Sequence, residues 1–251
     1  MKNLEKIMRN GKILFLAFDH GVEHGPLKYE GTNLDPIRIV KIAEEGGATA
    51  VILHEGSARY VIENYEPKVP IIIKVTGKTS LVIEQKQIQE IVTFVEDTLD
   101  LKPAGIAATV YVGSDYENLM LRNFAEIKKE CKKFDLPLIG FFYPRSRKQV
   151  TKYDLNAVAY AARVGCEIGA DIIKTYWTGS KETFEKVVKN CFRPIGVAGG
   201  PKVEKEKFLQ VVKDAMEVGA SGFAVGRNVW ERNDEEAIEL LREIRKIIFG
   251  E

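Results

Sequence analysis

The stretch CEIGADIIKT, residues 166–175, decides the fold. It reads as a helix end, a glycine able to take a left-handed cap, and a short apolar strand suited to burial on both faces. The same joint recurs in AEEGGATAVIL (43–53) and MEVGASGFAV (216–225). A looser copy, DLKPAGIAATVYV (100–112), has Pro103 as its breaker. Acidic helix ends oppose the helix dipole, so the glycine is the stronger stop signal. Apolar runs at 13–18, 71–75, 138–143 and 195–198 add further strands. The expected strands then lie near residues 13, 50, 71, 106, 138, 171, 195 and 222. Amphipathic stretches at 36–45, 116–134, 154–168, 181–191, 204–218 and 234–249 predict helices between most of them.

Strand followed by helix, eight times over, predicts an α/β chain folded as one (β/α)8 TIM barrel spanning residues 1–251. Such barrels run to about 250 residues, and this chain has 251. An open doubly wound sheet would place a glycine-rich dinucleotide loop after the first strand, and FDHGVEHG does not have that spacing. Residues 77–97 break the alternation and are expected to insert a small hairpin after the third strand.

With 45% hydrophobic residues, the chain can build a sizeable core. Its 37 basic and 36 acidic residues nearly cancel, so neither a nucleic acid nor a membrane surface is an expected partner. Residues 1–12, MKNLEKIMRNGK, form a charged lead-in without the apolar block of a signal peptide. Cys131, Cys166 and Cys191 are scattered in no ligand spacing, which predicts reduced thiols and a cytoplasmic protein.

In a barrel, the residues leaving the C-terminal strand ends converge on one pocket. In order, these are Asp19-His20, His54-Glu55, Lys74 with Lys78, Tyr111, Tyr143-Pro144-Arg145, Lys174, AGGPK (198–202) and VGRN (225–228). The last two follow strands seven and eight, where barrels often bind phosphate. Gly199, Gly200 and Gly226 let the backbone approach an anion, and Arg227 adds a fixed positive fork. The plainer alternative is two tight turns and a surface ion pair.

Lys174 and Lys74 both leave buried strands. A lysine there loses hydration and can act as a free amine that attacks carbonyls. It can also snorkel to water, and position alone does not choose between the two lysines. Tyr143 and Asp19 could shuttle protons beside an imine. HGVEH (20–24) has the spelling of an inverted zinc-protease motif, which needs a helix. Here it follows a strand, contains Gly21 and closes on Gly25-Pro26, so a loop is expected and no metal.

LAFDHGVEHGP, KVTGKTSL, YPR, ADIIKTYWTG, AGGPK and AVGRNVW, in that order, resemble the archaeal-type class I fructose-1,6-bisphosphate aldolases of the DeoC/LacD-like superfamily. The resemblance runs from about residue 3 to 249. It implies a barrel that forms an imine with dihydroxyacetone phosphate and needs no metal or other cofactor. Its substrates would be phosphorylated ketoses and trioses, and relatives are homo-oligomers, often decamers. Carried over, the imine lysine is Lys174, the acid/base tyrosine Tyr143 and the aspartate Asp19. Gly199, Gly200, Gly226 and Arg227 match the donors around the triose phosphate. Lys74 and Lys78 become supporting pocket cations, with Arg145 or His24 at the distal phosphate. Relatives often carry Trp two residues before the tyrosine, where this chain has Phe141. Two other readings compete. One is the related 2-amino-3,7-dideoxy-D-threo-hept-6-ulosonate synthase branch, from which VEHGP and KVTGK set the chain apart. The other is a barrel that binds sugar phosphates without covalent chemistry.

Overall fold

A computed structural model describes residues 3–25, 35–81, 86–145 and 151–251. Pro26, which ends the first quoted motif, lies outside them. The chain runs β1 (Ile13–Phe18), α1 (His20–Glu23), α2 (Pro36–Gly46), β2 (Ala50–His54), α3 (Glu55–Asn64) and β3 (Ile71–Lys74). A hairpin of β4 (Thr76–Gly77) and β5 (Glu90–Ile91) follows, then β6 (Gly105–Val112), α4 (Glu117–Lys133), β7 (Leu138–Pro144) and α5 (Leu155–Ile168). The last third comprises β8 (Ile172–Thr175), α6 (Lys181–Lys189), β9 (Ile195–Ala198), α7 (Lys205–Glu217), β10 (Gly222–Val225), α8 (Arg227–Trp230) and α9 (Asp234–Phe249).

β1, β2, β3, β6, β7, β8, β9 and β10 form a closed parallel barrel, the expected fold. β1 seals it by pairing with β2, Phe15 opposite Ala50, and with β10, Ile13 opposite Gly222. The three glycine joints behave alike. Gly47, Gly169 and Gly219 take φ values of 73°, 94° and 95°, where a side chain would be strained. After each, an alanine N–H reaches back five residues: Ala48 to Ala43, Ala170 to Gly165 and Ala220 to Ala215, at 2.8 to 3.0 Å. That closure satisfies helix-end carbonyls and turns the chain directly into the next strand.

The two-residue period of each strand sorts its side chains. Leu14, Leu16, Val51, Ile73, Phe142 and Ile173 face the helices. Phe15, Ala17, Ile52, Ile72, Ile139, Phe141 and Ile172 fill the barrel. Below them the lead-in makes a short 3-10 turn (Leu4–Lys6), and the fully buried Ile7 packs into the barrel with Leu4 and Met8 beside it.

The hairpin expected within 77–97 is β4 and β5, beginning one residue early. The loop expected at HGVEH is instead one turn of helix, closed by the His24 N–H on the His20 carbonyl at 2.8 Å. Gly21 is tolerated because so short a helix is set by its neighbours, not by propensity. α3 begins directly at Glu55; Gly56 and Ser57 blur its pattern in the sequence.

Candidate active site

The inward parity that carries Ile72, Ile139 and Ile172 carries Lys74, Phe141 and Lys174 one step higher, with Tyr143 above Phe141 and Asp19 above Ala17. Phe141 and Lys174 are register partners on β7 and β8. These residues stand at the C-terminal mouth, around a cavity of about 750 Å³ counted to its open rim. Lys174, Tyr143, Asp19, Gly199, Gly200, Gly226, Arg227, Arg145 and His24 all line it.

The two candidate lysines occupy different surroundings. Lys74 is fully buried, ion-paired with Glu23, and its Nζ is 3.6 Å from Asp19 Oδ2. It does not line the cavity, and it stands beneath as the pocket cation that the resemblance implies. Glu23 arrives from the turn of α1 and seals the lysine from above. Lys174 is 6% exposed and has no ion pair among the described residues. Its Nζ stands 4.0 Å from the centroid of the Phe141 ring; that of Lys74 is 5.3 Å from the same ring. Burial pushes the Lys174 amine below its usual value; Asp19 opposes this and Lys74 reinforces it. Burial resists ionisation of Asp19, yet Lys74 and the neighbouring histidine and lysine charges hold its carboxyl well below the usual carboxylate range. Tyr143 is pushed well above 10 by burial, then by Tyr176 and Asp19, so its phenol is protonated at rest.

Gly199, Gly200, Gly226 and Arg227 meet at one corner of the cavity. A Cβ on Gly226 would come 2.7 Å from His20 Cε1 and 3.2 Å from the Ala17 carbonyl oxygen, so any side chain there would displace the His20 ring. Arg227 follows it, and its Nε is buried with no hydrogen-bond partner among the described residues. The Gly199 N–H is taken by the Ala224 carbonyl at 3.2 Å, whereas Gly200, at φ 71°, turns the loop over the cavity. Buried Asn228 bolts the two loops together. Its amide donates to the Gly199 and Pro201 carbonyls at 2.7 and 2.8 Å, and its oxygen accepts from the Val203 N–H at 3.0 Å.

The opposite wall is aromatic. Tyr143 and Tyr176 stack at 4.3 Å, and the Arg145 guanidinium lies within 6 Å of the rings of Tyr111, Tyr143 and Tyr176. Its Nη2 donates to the Tyr176 hydroxyl at 2.5 Å. Lys152 and Tyr153 complete this rim. Lys78 stands outside the lining, its ammonium 6.0 Å from the Tyr111 ring centroid. Sequence reasoning missed Tyr176, Lys152, Tyr153 and the bolting role of Asn228. Tyr176 shares the parity of Lys174, and that signal could have found it.

Glu23 is paired with Lys74, and His54 Nδ1 lies 3.1 Å from the Lys74 carbonyl. Among the described residues no group of three or more His, Cys, Asp or Glu could hold a metal ion.

Comparison with known proteins matches these features. The sequence profile of the DeoC/LacD family aldolases covers residues 13–232. A class 1 fructose-bisphosphate aldolase of Thermoproteus tenax is 38% identical over 99% of this chain and 94% of the relative. Its counterpart in Halobacterium salinarum is 33% identical over 92% and 89%. A crystal structure of an archaeal fructose 1,6-bisphosphate aldolase superposes with a TM-score of 0.90 at 37% identity, over 99% of this chain and 98% of that one. A second archaeal structure, with its catalytic Lys covalently bound to the carbinolamine intermediate, gives 0.90 at 36% identity over the same shares. The architecture and these relatives agree: the chain belongs to the DeoC/LacD family of aldolases.

Proposed function

We infer that the protein is a class I fructose-1,6-bisphosphate aldolase, reversibly cleaving its substrate to dihydroxyacetone phosphate and glyceraldehyde 3-phosphate through an imine on Lys174. The observation that carries this reading is the contrast between the lysines: Lys74 is locked against Glu23, while Lys174 lines the cavity with its amine unpaired and its charge disfavoured. A neutral amine is the nucleophile that a ketone requires.

The Lys174 nitrogen adds to the ketone carbon, and loss of water leaves an iminium. Tyr143, protonated at rest, is suited to give the proton that the departing hydroxyl needs. The iminium then draws the electron pair of the breaking C3–C4 bond, while the C4 hydroxyl gives up its proton as the aldehyde forms. The tyrosinate is suited to accept it, with Asp19 orienting the exchange. The Gly200, Gly226 and Arg227 corner grips the triose phosphate, and this remote binding orients the carbons. Arg145 and His24 also line the cavity and are the groups proposed for the distal phosphate. The same reading makes the protein a cytoplasmic homo-oligomer, of the decameric kind expected of relatives. No helix among the described residues is long and apolar enough to cross a membrane.

Borohydride reduction in the presence of dihydroxyacetone phosphate tests the reading. The wild type should gain one covalent adduct, mapped to Lys174, and Lys174→Met should gain none while remaining folded. An adduct at Lys74 sinks the assignment, and faster turnover with aspartate semialdehyde than with glyceraldehyde 3-phosphate as acceptor would move the chain to the transaldolase branch.

A further inference from the structure

Two of the three cysteines that the sequence scatters are neighbours in space. Cys166 sits in the last turn of α5 and Cys191 just beyond α6, 25 residues later, yet their Sγ atoms are 2.9 Å apart. No atom fits between them, and a small side-chain movement would bring the sulfurs to the ~2.05 Å of a covalent bond. Cys166 is buried and Cys191 half-buried, so the pair is open from the Cys191 side. Nothing in the aldolase chemistry uses either thiol.

We propose that Cys166 and Cys191 are a reversibly oxidisable dithiol that closes an internal disulfide by exchange with a low-molecular-weight disulfide. In the exchange, Cys191 loses its proton and takes one RS group from RS–SR, releasing RS⁻. The Cys166 thiolate then attacks the Cys191 sulfur, the mixed S–S bond breaks, and the second RS⁻ departs. Two protein thiols are oxidised, one RS–SR is reduced, and the two protons leave as two RSH. The hydrogen bond from Cys191 is the main influence holding Cys166 down to about 7, against its burial; the Phe192 and Arg193 backbone and the Arg163 charge also favour its thiolate. The same contact, with burial, pushes the Cys191 thiol up. Cys191 is the half-buried thiol that RS–SR can reach, which leaves the buried Cys166 as the displacing sulfur.

The bond would close a loop containing all of β8, Lys174 included, and tie together the two helices that flank this strand. Shortening the freedom of the unfolded chain by a loop of that size stabilises the fold.

The test uses the whole protein, incubated with oxidised glutathione or with dithiothreitol, then denatured, alkylated and weighed. The reduced sample should carry three alkyl groups. The oxidised sample should carry one, on Cys131, with a peptide map linking Cys166 to Cys191 and dithiothreitol restoring all three. Its melting temperature should exceed that of the reduced sample by on the order of 5 °C. In Cys191→Ser that oxidant-dependent rise should vanish. Three alkylatable thiols after oxidation, glutathione retained on one cysteine, a link that includes Cys131, or a link between two chains would each overturn the proposal.

Discussion

A lysine in water is a cation up to about pH 10.4, and Lys174 is placed to shed that charge early. Between its lowered value and that of the unfolded chain, the folded protein binds fewer protons, so its stability rises with pH over that window. Lys174→Met removes that penalty, and the variant should melt no lower than wild type at pH 7 by differential scanning calorimetry. His20 has the same sign in a lower range. Burial holds it down to about 3 against the pull of Asp19, so its stabilising contribution is full above pH 6.5 and fades as pH falls. The loss approaches about 1.4 kcal/mol per pH unit for one proton. His24 and His54 are lowered too and contribute alike. Melting temperatures from pH 6.5 to about 5.5, where ordinary carboxylates remain largely ionised, should fall less steeply in His20→Asn than in wild type. Lys174, Tyr143 and Asp19 were legible as strand-end residues. The choice between Lys74 and Lys174 was not legible from position, because both follow apolar runs on parallel strands. What separates them is Glu23, 51 residues away from Lys74 in sequence.

At the scale of elements, the joints were readable because left-handed glycine caps are local chemistry. The turn α1 was not, because its geometry comes from packing beside α8: the ring centroids of His20 and Trp230 are 5.4 Å apart. The expected anion corner depends on one residue shared by two loops. Asn228→Ala would leave the Val203 N–H and the Gly199 and Pro201 carbonyls without this partner. Unpaired buried groups cost about 1–3 kcal/mol each, so the variant should melt lower. Because Asn228 holds the loops of the proposed phosphate grip and does not itself line the cavity, KM for fructose 1,6-bisphosphate should rise at least tenfold while kcat changes little. Steady-state kinetics separate the two.

The whole molecule is a tube of side chains closed at the floor. Ile7, in a segment that reads only as a charged lead-in, plugs the barrel floor beside Ile13, below Phe15. Ile7→Ala should lower unfolding stability by about 2–5 kcal/mol in a denaturant titration, since the cavity would open inside a closed ring unable to collapse. That role was hidden because burial at a barrel floor is a property of the closed sheet. The same tube explains a feature of its upper layer. Asp19 and Glu23 bring two negative charges to the dry interior, and Lys74 returns only one positive. With Lys174 as the free amine, the cluster rests one positive charge short of neutrality. Condensation with a ketone creates an iminium cation at that nitrogen, over the negative face of the Phe141 ring, and the charge lasts until it takes up the electron pair of the breaking bond. The Asp19–Glu23–Lys74 cluster is thus balanced by the covalent intermediate and carries an unmet negative charge before it forms, so its field favours the step that binds carbon to nitrogen.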